Sequence, residues 1–235
     1  PAMRGEEGNI YRPVDKQNFT LMFKDIRAEL DKLEAEKGRK YLLTAAVGGS
    51  KSFVNNTEMA EVAKILDYIL IMTYDYGGKT VNHHTNLFPS RGMENGSSAH
   101  KSVLDFMAAG VPASKLGLGA AFYGKSREAQ STANNGLNQP LISGSKSVAG
   151  QGGGFSKMKN EFINKNGYKR HWDKQAKAPY LFNPKTKVFI TYDDERSIKK
   201  KSQYIKKYKL AGIFFWEYFN DPEENLLNAI DSVLN

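Results

Sequence analysis

The sequence predicts an α/β fold, in which a parallel sheet carries a small inserted α+β subdomain. Short apolar segments alternate with longer amphipathic segments along most of the 235 residues, which is the order of parallel strands and crossover helices. The alternation breaks over about seventy residues, roughly 124–196, and this segment therefore behaves as an insertion. No period of 20 to 50 residues repeats, so the frame is a barrel or an open sheet rather than a solenoid.

The first helix–strand unit is predicted over residues 15–36 and 41–47. Phe19, Phe23 and other apolar residues of this helix recur at three and four positions, which is the spacing of one helical face. Gly38 can supply a left-handed C-cap. The strand that follows is predicted to be buried.

The second and third units repeat this order. A helix over residues 59–66 precedes a strand over 68–74, which is so evenly apolar that both of its faces are expected to be covered. A helix over 99–109 is stopped by Gly110, and a strand over 116–122 follows it.

The fourth unit has a helix over residues 197–208, a strand over 211–216 and a terminal helix over about 224–234. The apolar residues of the first helix recur at helical spacing, so its lysines are expected to face solvent. These lysines, with one beyond the helix, are Lys199, Lys200, Lys201, Lys206, Lys207 and Lys209. They supply much of the net charge of +9. A solvated helix face is favoured over a phosphate-binding patch, and no nucleic-acid partner is expected because no nucleic-acid-binding motif accompanies them.

The insertion has two parts of different composition. Residues 136–154 are rich in Gly and Ser and resemble a loop; they lack the Lys-Ser/Thr pair and the helix start of a phosphate-binding loop. Residues 169–194 contain strand-like runs at 180–182 and 188–192, joined by a turn sequence at 183–186.

Composition excludes several kinds of chemistry. With no cysteine, the chain has no disulfide, zinc ribbon or thiol nucleophile. Its four histidines show no metal-ligand spacing, so no metal and no cofactor are expected. The longest apolar runs are far shorter than the roughly 20 residues that span a bilayer, and no membrane partner is expected.

Aromatic and carboxylate side chains follow the predicted strands at their carboxyl ends, where parallel α/β folds gather reactive groups. They are Met72, Tyr74 and Asp75 at the second strand, Tyr123 at the third, and Trp216 and Glu217 at the fourth. An aromatic face that packs on sugar C–H groups, beside a carboxylate that accepts hydroxyl hydrogen bonds, suits a carbohydrate. From the residues alone, aromatics that only cap the core are an equally good interpretation.

At these positions the sequence resembles glycoside hydrolase family 18, and more narrowly its bacterial chitinase A type. The matching segments are IMTYDYG at 71–77, AFYG at 121–124, GIFFWE at 212–217, and the insertion motifs at 172–173, 178–180 and 189–194. The resemblance implies that residues 1–124 run from helix four to strand seven of a (β/α)8 TIM barrel. It also implies that 125–196 form the inserted α+β chitinase subdomain and that 197–235 hold strand eight and the last helices.

The resemblance also implies roles for the residues at the strand ends. Tyr74 resembles the tyrosine that bonds the substrate acetamido group, and Asp75 the carboxylate beside it, so both are expected to be catalytic. The implied substrate contacts are an apolar wall, the sugar floor and two flanking groups: Met72, Trp216, Tyr123 and Glu217. Each has a plainer alternative, and for Met72 core packing is the stronger one. Lys125 stands where the family commonly has Arg, which loses the planar guanidinium fork at that position.

The family's general-acid motif, Asp-x-x-Asp-x-Asp-x-Glu, does not occur in the 235 residues. In the family an aromatic and a proline follow it, and Pro1 resembles that proline, so the motif is expected upstream of Pro1. The implied activity is retaining, substrate-assisted cleavage of β-1,4-linked N-acetylglucosamine by a secreted bacterial chitinase. The alternative is a non-catalytic protein that binds chitin or its oligosaccharides. Four barrel strands leave two open edges, so the expected partner is the N-terminal half of the barrel or a second copy that completes it.

Overall fold

The computed structural model describes residues 1–5, 7–142 and 152–235. In chain order the strands are β1 (Thr44–Gly48), β2 (Tyr68–Met72), β3 (Leu116–Ala121), β4 (Tyr123–Glu128), β5 (Gly153–Gly154), β6 (Lys169–Asp173), β7 (Ala178–Asn183), β8 (Val188–Thr191) and β9 (Gly212–Trp216). The α-helices are α1 (Asp15–Lys37), α2 (Lys51–Asn55), α3 (Met59–Ile65), α4 (Ala99–Ala108), α5 (Phe155–Lys157), α6 (Glu195–Tyr208) and α7 (Asn225–Leu234). Short 3₁₀ turns lie at Ala113–Lys115, Ala133–Gly136 and Tyr218–Asn220, and a π-helical turn lies at Met158–Phe162.

The frame is a four-stranded parallel sheet with the order β1-β2-β3-β9. Each strand follows a helix of the predicted alternation, and α6 crosses over to β9, so the four predicted helix–strand units are confirmed. Gly38 caps α1 in the left-handed conformation, with φ of 67°. Helix α6 begins two residues before the predicted position. The reason is that the Asp194 carboxylate and the Ser197 hydroxyl form a capping box with each other's backbone N–H.

The sheet buries one face against the helices and leaves the other partly open. Ile69 and Ile71 of β2 are completely buried, whereas Tyr68 at the start of the strand is 39% exposed. In β1 only Val47 is buried. The predictions that strand 41–47 is buried and that both faces of 68–74 are covered are therefore wrong. The helices pack on one face of β1 and β2 and leave their other face partly exposed, whereas all six residues of β3 are buried.

The second sheet is antiparallel, with the order β5-β4-β8-β7-β6. The predicted runs at 180–182 and 188–192 form the hairpin β7–β8. At its turn, the Asn183 side-chain oxygen accepts hydrogen bonds from the backbone N–H groups of Lys185 and Thr186. Residues 143–151 of the predicted loop at 136–154 lie outside the described residues. The predicted boundaries at 124/125 and 196/197 remain predictions; β4 crosses the first of them.

One lysine of α6 contradicts the sequence prediction. Lys199, Lys206, Lys207 and Lys209 are exposed, but Lys201 is only 1% exposed. Its ammonium group pairs with the equally buried carboxylate of Asp193. Helical spacing places Lys201 on the apolar face, and a buried anion from the preceding segment makes a lysine acceptable there.

Candidate sugar-binding site

The carboxyl edge of the parallel sheet carries an open cleft. Its lining residues are Met72, Tyr74, Asp75, Tyr123, Trp216 and Asn220. Five of the six predicted site residues therefore lie together. The sixth, Glu217, follows Trp216 directly through a cis peptide bond and lies outside this lining.

The topology of the sheet explains why these residues meet. Met72 ends β2, and Tyr74 and Asp75 follow it. Trp216 ends β9 opposite Ala121, the last residue of β3, and the chain continues from there through Phe122 to Tyr123. Because the strands are parallel, their carboxyl ends share one edge, and residues far apart in sequence converge there.

Asp75 is the most highly connected side chain of the cleft. Its Oδ1 accepts hydrogen bonds from the Tyr123 hydroxyl at 2.5 Å and from the Lys125 ammonium at 2.7 Å. The His84 Nδ1 atom lies 3.6 Å from the same oxygen and 3.4 Å from the Asp75 backbone nitrogen. Asp75 adopts a left-handed backbone conformation, with φ of 62°, and its side chain is about half exposed at 49%. The carboxylate is thus fixed by neighbours on one side and open to the cleft on the other.

These contacts set the charge of Asp75. Burial disfavours the carboxylate, but the adjacent His84 ring and the hydrogen bonds from Lys125 and Tyr123 outweigh it and hold the pKa of Asp75 well below its usual range. Burial and the hydrogen bond to Asp75 raise the pKa of the Tyr123 hydroxyl. Burial also lowers the pKa of His84, against the attraction of Asp75. At neutral pH, Asp75 is therefore an anion held by a neutral tyrosine and a cationic lysine.

An anion of this kind accepts hydrogen bonds but is a poor proton donor. General-acid catalysis works best when the pKa of the acid lies near the operating pH, because the group must be protonated before it gives up its proton. The pKa of Asp75 is lowered rather than raised toward neutral pH, so Asp75 is not protonated when a general acid is needed. Asp75 is thus suited to hold a polar group of a ligand, whereas a leaving group would need another acid.

The aromatic residues shape the cleft around this anion. Trp216 is 61% exposed, which is unusual for so large an apolar side chain. The Tyr74 ring makes edge contact with Tyr123 at a centroid distance of 6.1 Å and a tilted contact with Phe214 at 6.2 Å. Burial raises the pKa of Tyr74, and the adjacent Asp75 raises it further, so its hydroxyl stays neutral. Met72 is half-buried beside them.

Gly119 of β3 lets Tyr74 approach the sheet closely. A Cβ atom at this position would lie 2.8 Å from the Ile71 carbonyl oxygen and 2.9 Å from both the Thr73 nitrogen and a Tyr74 ring carbon. The Thr73 hydroxyl also donates to the Gly119 carbonyl at 2.7 Å. The position of Tyr74 thus depends on a missing side chain in the neighbouring strand.

Sequence reasoning missed three contributors to the site. They are His84, Lys125 and Asn220. Lys125 lies two residues after Tyr123 on β4, on the same side of the strand, and that alternation could have indicated it. The contact between His84 and Asp75 is tertiary and has no local signal. Within the described ranges, no His, Asp and Glu cluster could hold a metal ion, and no helix has the length and hydropathy to cross a membrane.

Asp193 and Asp194 are buried near the cleft but outside its lining. Asp194 caps α6 and pairs with Arg170. Behind the cleft, Asp193 accepts hydrogen bonds from Lys201, Thr85, Ser197 and the Ala121 backbone N–H. Neither carboxylate lines the cleft.

An exposed indole, a neutral tyrosine hydroxyl and a fixed anion in one cleft are typical of a carbohydrate-binding protein. Residues 4–221 match the family Glycosyl hydrolases family 18, and the chain belongs to this family. It is 41% identical to Chitinase A1 of Niallia circulans over 249 aligned positions, which cover 100% of this chain and 35% of that protein. It is 29% identical to Chitinase A of Pseudoalteromonas piscicida, with 98% of this chain and 33% of that protein covered. The chain thus spans about a third of the length of these curated relatives.

Solved structures show the same relationship. The chain superimposes on a Bacillus thuringiensis chitinase with a TM-score of 0.91 and 35% identity, over 100% of this chain and 42% of that one. It superimposes on a family 18 N-acetylglucosaminidase from Paenibacillus barengoltzii with a TM-score of 0.87 and 41% identity, over 96% and 66% of the two chains. The parallel sheet with its antiparallel subdomain therefore matches part of the catalytic domain of these enzymes.

Proposed function

We propose that this chain forms the sugar-binding part of a chitinase, which cleaves β-1,4-linked N-acetylglucosamine with retention of configuration. The observation that carries the proposal is the cleft itself, where Tyr74, the anionic Asp75 and the exposed Trp216 converge at one sheet edge. Family membership and the names of its relatives favour chitin over other polysaccharides. In this proposal β1, β2, β3 and β9 are strands five to eight of a (β/α)8 barrel.

Each of the six predicted site residues has a part in the proposed reaction. Trp216 stacks under the sugar at the cleavage point, and Met72 packs beside its acetamido methyl group. The neutral Tyr74 hydroxyl holds the acetamido oxygen, which attacks the anomeric carbon in place of an enzyme carboxylate. Asp75 accepts hydrogen bonds from the sugar, and Tyr123 and Glu217 flank it.

The proton for the leaving group comes from another segment in this proposal. The 235 residues contain no Asp-x-Asp-x-Glu motif, and Asp75 is held in its anionic form. We propose that the acid motif precedes Pro1, and that the complete enzyme acts outside the cell, on a polymer too large to enter it. General-acid help is worth about 10² to 10⁴ in rate, so these 235 residues alone are expected to bind but not to cleave.

Release of reducing ends from an N-acetylglucosamine tetramer tests this division of labour. The 235-residue protein is expected to give no more product than its Trp216→Ala variant. Turnover that disappears on Trp216→Ala substitution would contradict the proposal, because the chain would then hold its own acid. Turnover that survives the substitution would come from a contaminating enzyme and calls for further purification.

A second candidate function is non-catalytic binding of chitin oligosaccharides. The same two observations favour it, namely the missing acid motif and the anionic state of Asp75. The residues that precede Pro1 in the gene distinguish the two candidates. The acid motif in that position supports the chitinase, and a start codon there supports the binding protein.

A further inference from the structure

A buried ion pair lies behind the cleft. Asp193 and Lys201 are each 1% exposed, and the Lys201 ammonium lies 2.5 Å from Asp193 Oδ2. Asp193 Oδ2 also accepts hydrogen bonds from the Thr85 hydroxyl at 2.9 Å and from the Ala121 backbone N–H at 3.1 Å. The Ser197 hydroxyl donates to the other carboxylate oxygen at 2.7 Å. Every oxygen of this buried carboxylate is thus satisfied.

The groups that bind this pair sit next to the residues that hold Asp75. Thr85 follows His84, and its hydroxyl accepts a hydrogen bond from Lys201 at 2.6 Å. Ala121 lies two residues before Tyr123. The His84 backbone N–H donates to the Thr191 hydroxyl at 3.1 Å, two residues before Asp193. One carboxylate therefore ties together the two backbone segments whose side chains contact Asp75.

Neither charged group is the N-cap of helix α6. Helix α6 already has a complete cap in Asp194 and Ser197, so Asp193 is not its N-cap. Lys201 lies mid-helix, where an apolar residue would suit a buried position better. Burial lowers the pKa of Lys201, against the attraction of Asp193, so the fold bears a desolvation cost for keeping the pair. A buried pair that is costly and fully hydrogen-bonded often fixes one particular geometry.

We propose that Asp193 and Lys201 are positioning residues for Asp75, acting through Thr85 and Ala121 to hold His84 and Tyr123 against its carboxylate. This inference rests on the proposed function in one respect, namely that Asp75 binds the sugar. The test below uses no ligand, so its failure is separate from a failure to bind sugar.

The titration of Asp75 reports this positioning directly. The titratable groups that face Asp75 are His84 from the loop after β2, Tyr123 and Lys125 from β4, and the adjacent Tyr74. If the pair is lost, His84 and Tyr123 retreat from Asp75, while Lys125 lies further along β4. The pKa of Asp75 then rises toward its ordinary value, by about one unit or more.

Carbon-13 NMR of the side-chain carboxyl groups measures this pKa, with the Asp75 signal assigned by its loss in Asp75→Asn. The test variant is the double substitution Asp193→Asn with Lys201→Met, which removes both charges and leaves no unpaired one. A milder variant, Thr85→Val, keeps the shape of the side chain and removes only the hydroxyl. Lys199→Met is the matched control, because it removes the same charge from an exposed position on the same helix.

The double variant and Thr85→Val are both expected to raise the pKa of Asp75, whereas Lys199→Met leaves it unchanged. An Asp75 titration identical to that of the unaltered protein in the folded variants would overturn the proposal, since the pair would then serve stability alone. If the double variant fails to fold, Thr85→Val decides the question by the same measurement.

Discussion

At the scale of single residues, the cleft is organised around one anion. Asp75 is half exposed, yet its carboxylate is hydrogen-bonded by Tyr123 and Lys125, and the His84 ring lies beside it. These neighbours stabilise the charged form more than burial opposes it. The residue is therefore prepared for hydrogen-bond acceptance before any ligand arrives.

A second depressed carboxylate predicts how stability depends on pH. Burial opposes the charge of Asp173, but hydrogen bonds from His83 and from backbone N–H groups prevail and lower its pKa to about 2. In the unfolded chain the value is about 3.9. Between these two values the unfolded state binds more protons, so this part of the stability is present above about pH 4 and is lost as the pH falls toward 2.

Asp173→Asn is expected to lower the free energy of unfolding at pH 7 by about 1–2 kcal/mol and to flatten its slope between pH 4 and 2. Urea unfolding at a series of pH values measures both effects. Asp25→Asn, at an exposed position on α1, is the control and leaves the curve unchanged. An unchanged slope in Asp173→Asn would show that Asp173 does not carry this part of the acid sensitivity.

The sequence identified the residues that reach the cleft but not those that hold them. Tyr74, Asp75, Tyr123 and Trp216 stand at strand ends, so their convergence follows from parallel topology. His84 reaches Asp75 from a loop, and nothing local in the sequence signals that contact. The prediction that Lys201 faces solvent is wrong, because the spacing of apolar residues in a helix does not reveal that Lys201 pairs with the buried carboxylate of Asp193.

At the scale of elements, the close approach of β2 and β3 sets the position of Tyr74. At both Gly117 and Gly119 of β3, a Cβ atom would lie less than 3 Å from an atom of β2. At Gly119 a Cβ atom would meet the Ile71 carbonyl oxygen of β2, the Thr73 backbone nitrogen just after it, and the ring of Tyr74. Even one added methyl group would therefore require β2 and β3 to move apart.

Gly119→Ala is expected to destabilise the protein by about 1–3 kcal/mol, because overpacking forces backbone and ring apart. It is also expected to weaken oligosaccharide binding through the displaced Tyr74. Thermal unfolding and calorimetric titration measure the two effects. Gly78→Ala is the matched control, since a Cβ there meets no heavy atom within 4 Å. Equal behaviour of the two variants would contradict the close approach described here.

The helices and strands of the frame were predictable because their apolar residues recur at regular spacing, and because Gly38 and Gly110 mark the ends of two of the helices. The antiparallel sheet was predicted only in part. Its hairpin β7–β8 has an apolar run on either side of a turn sequence, whereas β4 (YGKSRE) and β6 (KRHWD) are polar and half-buried. Such strands form because neighbours pair with them, and this information is not local.

At the scale of the whole molecule, several large apolar side chains remain exposed on α1 and beside the parallel sheet. Leu42 beside β1 is 60% exposed, and helix α1 exposes Leu21, Met22 and Ile26. The edges of the sheet, β1 and β9, each pair with a single described strand. Uncovered apolar side chains and unpaired strand edges favour association with a further chain or segment.

The 235-residue protein is therefore expected to self-associate as its concentration rises. Sedimentation velocity over a dilution series measures this, and Leu42→Lys is expected to shift the equilibrium toward the monomer. Lys40→Met, which changes a nearby exposed charge, is not expected to shift it in that direction. A monomer at every concentration would contradict the prediction.

In the proposed function, the cleft recognises N-acetylglucosamine units through Trp216, Tyr74 and Asp75. The most direct measurement is a calorimetric titration with an N-acetylglucosamine tetramer, with cellotetraose as the ligand that lacks acetamido groups. Saturable binding is expected for the first ligand alone, weakened at least about tenfold, or about 1.4 kcal/mol, by Trp216→Ala. Equal binding of both ligands, or binding that Trp216→Ala leaves intact, would contradict it.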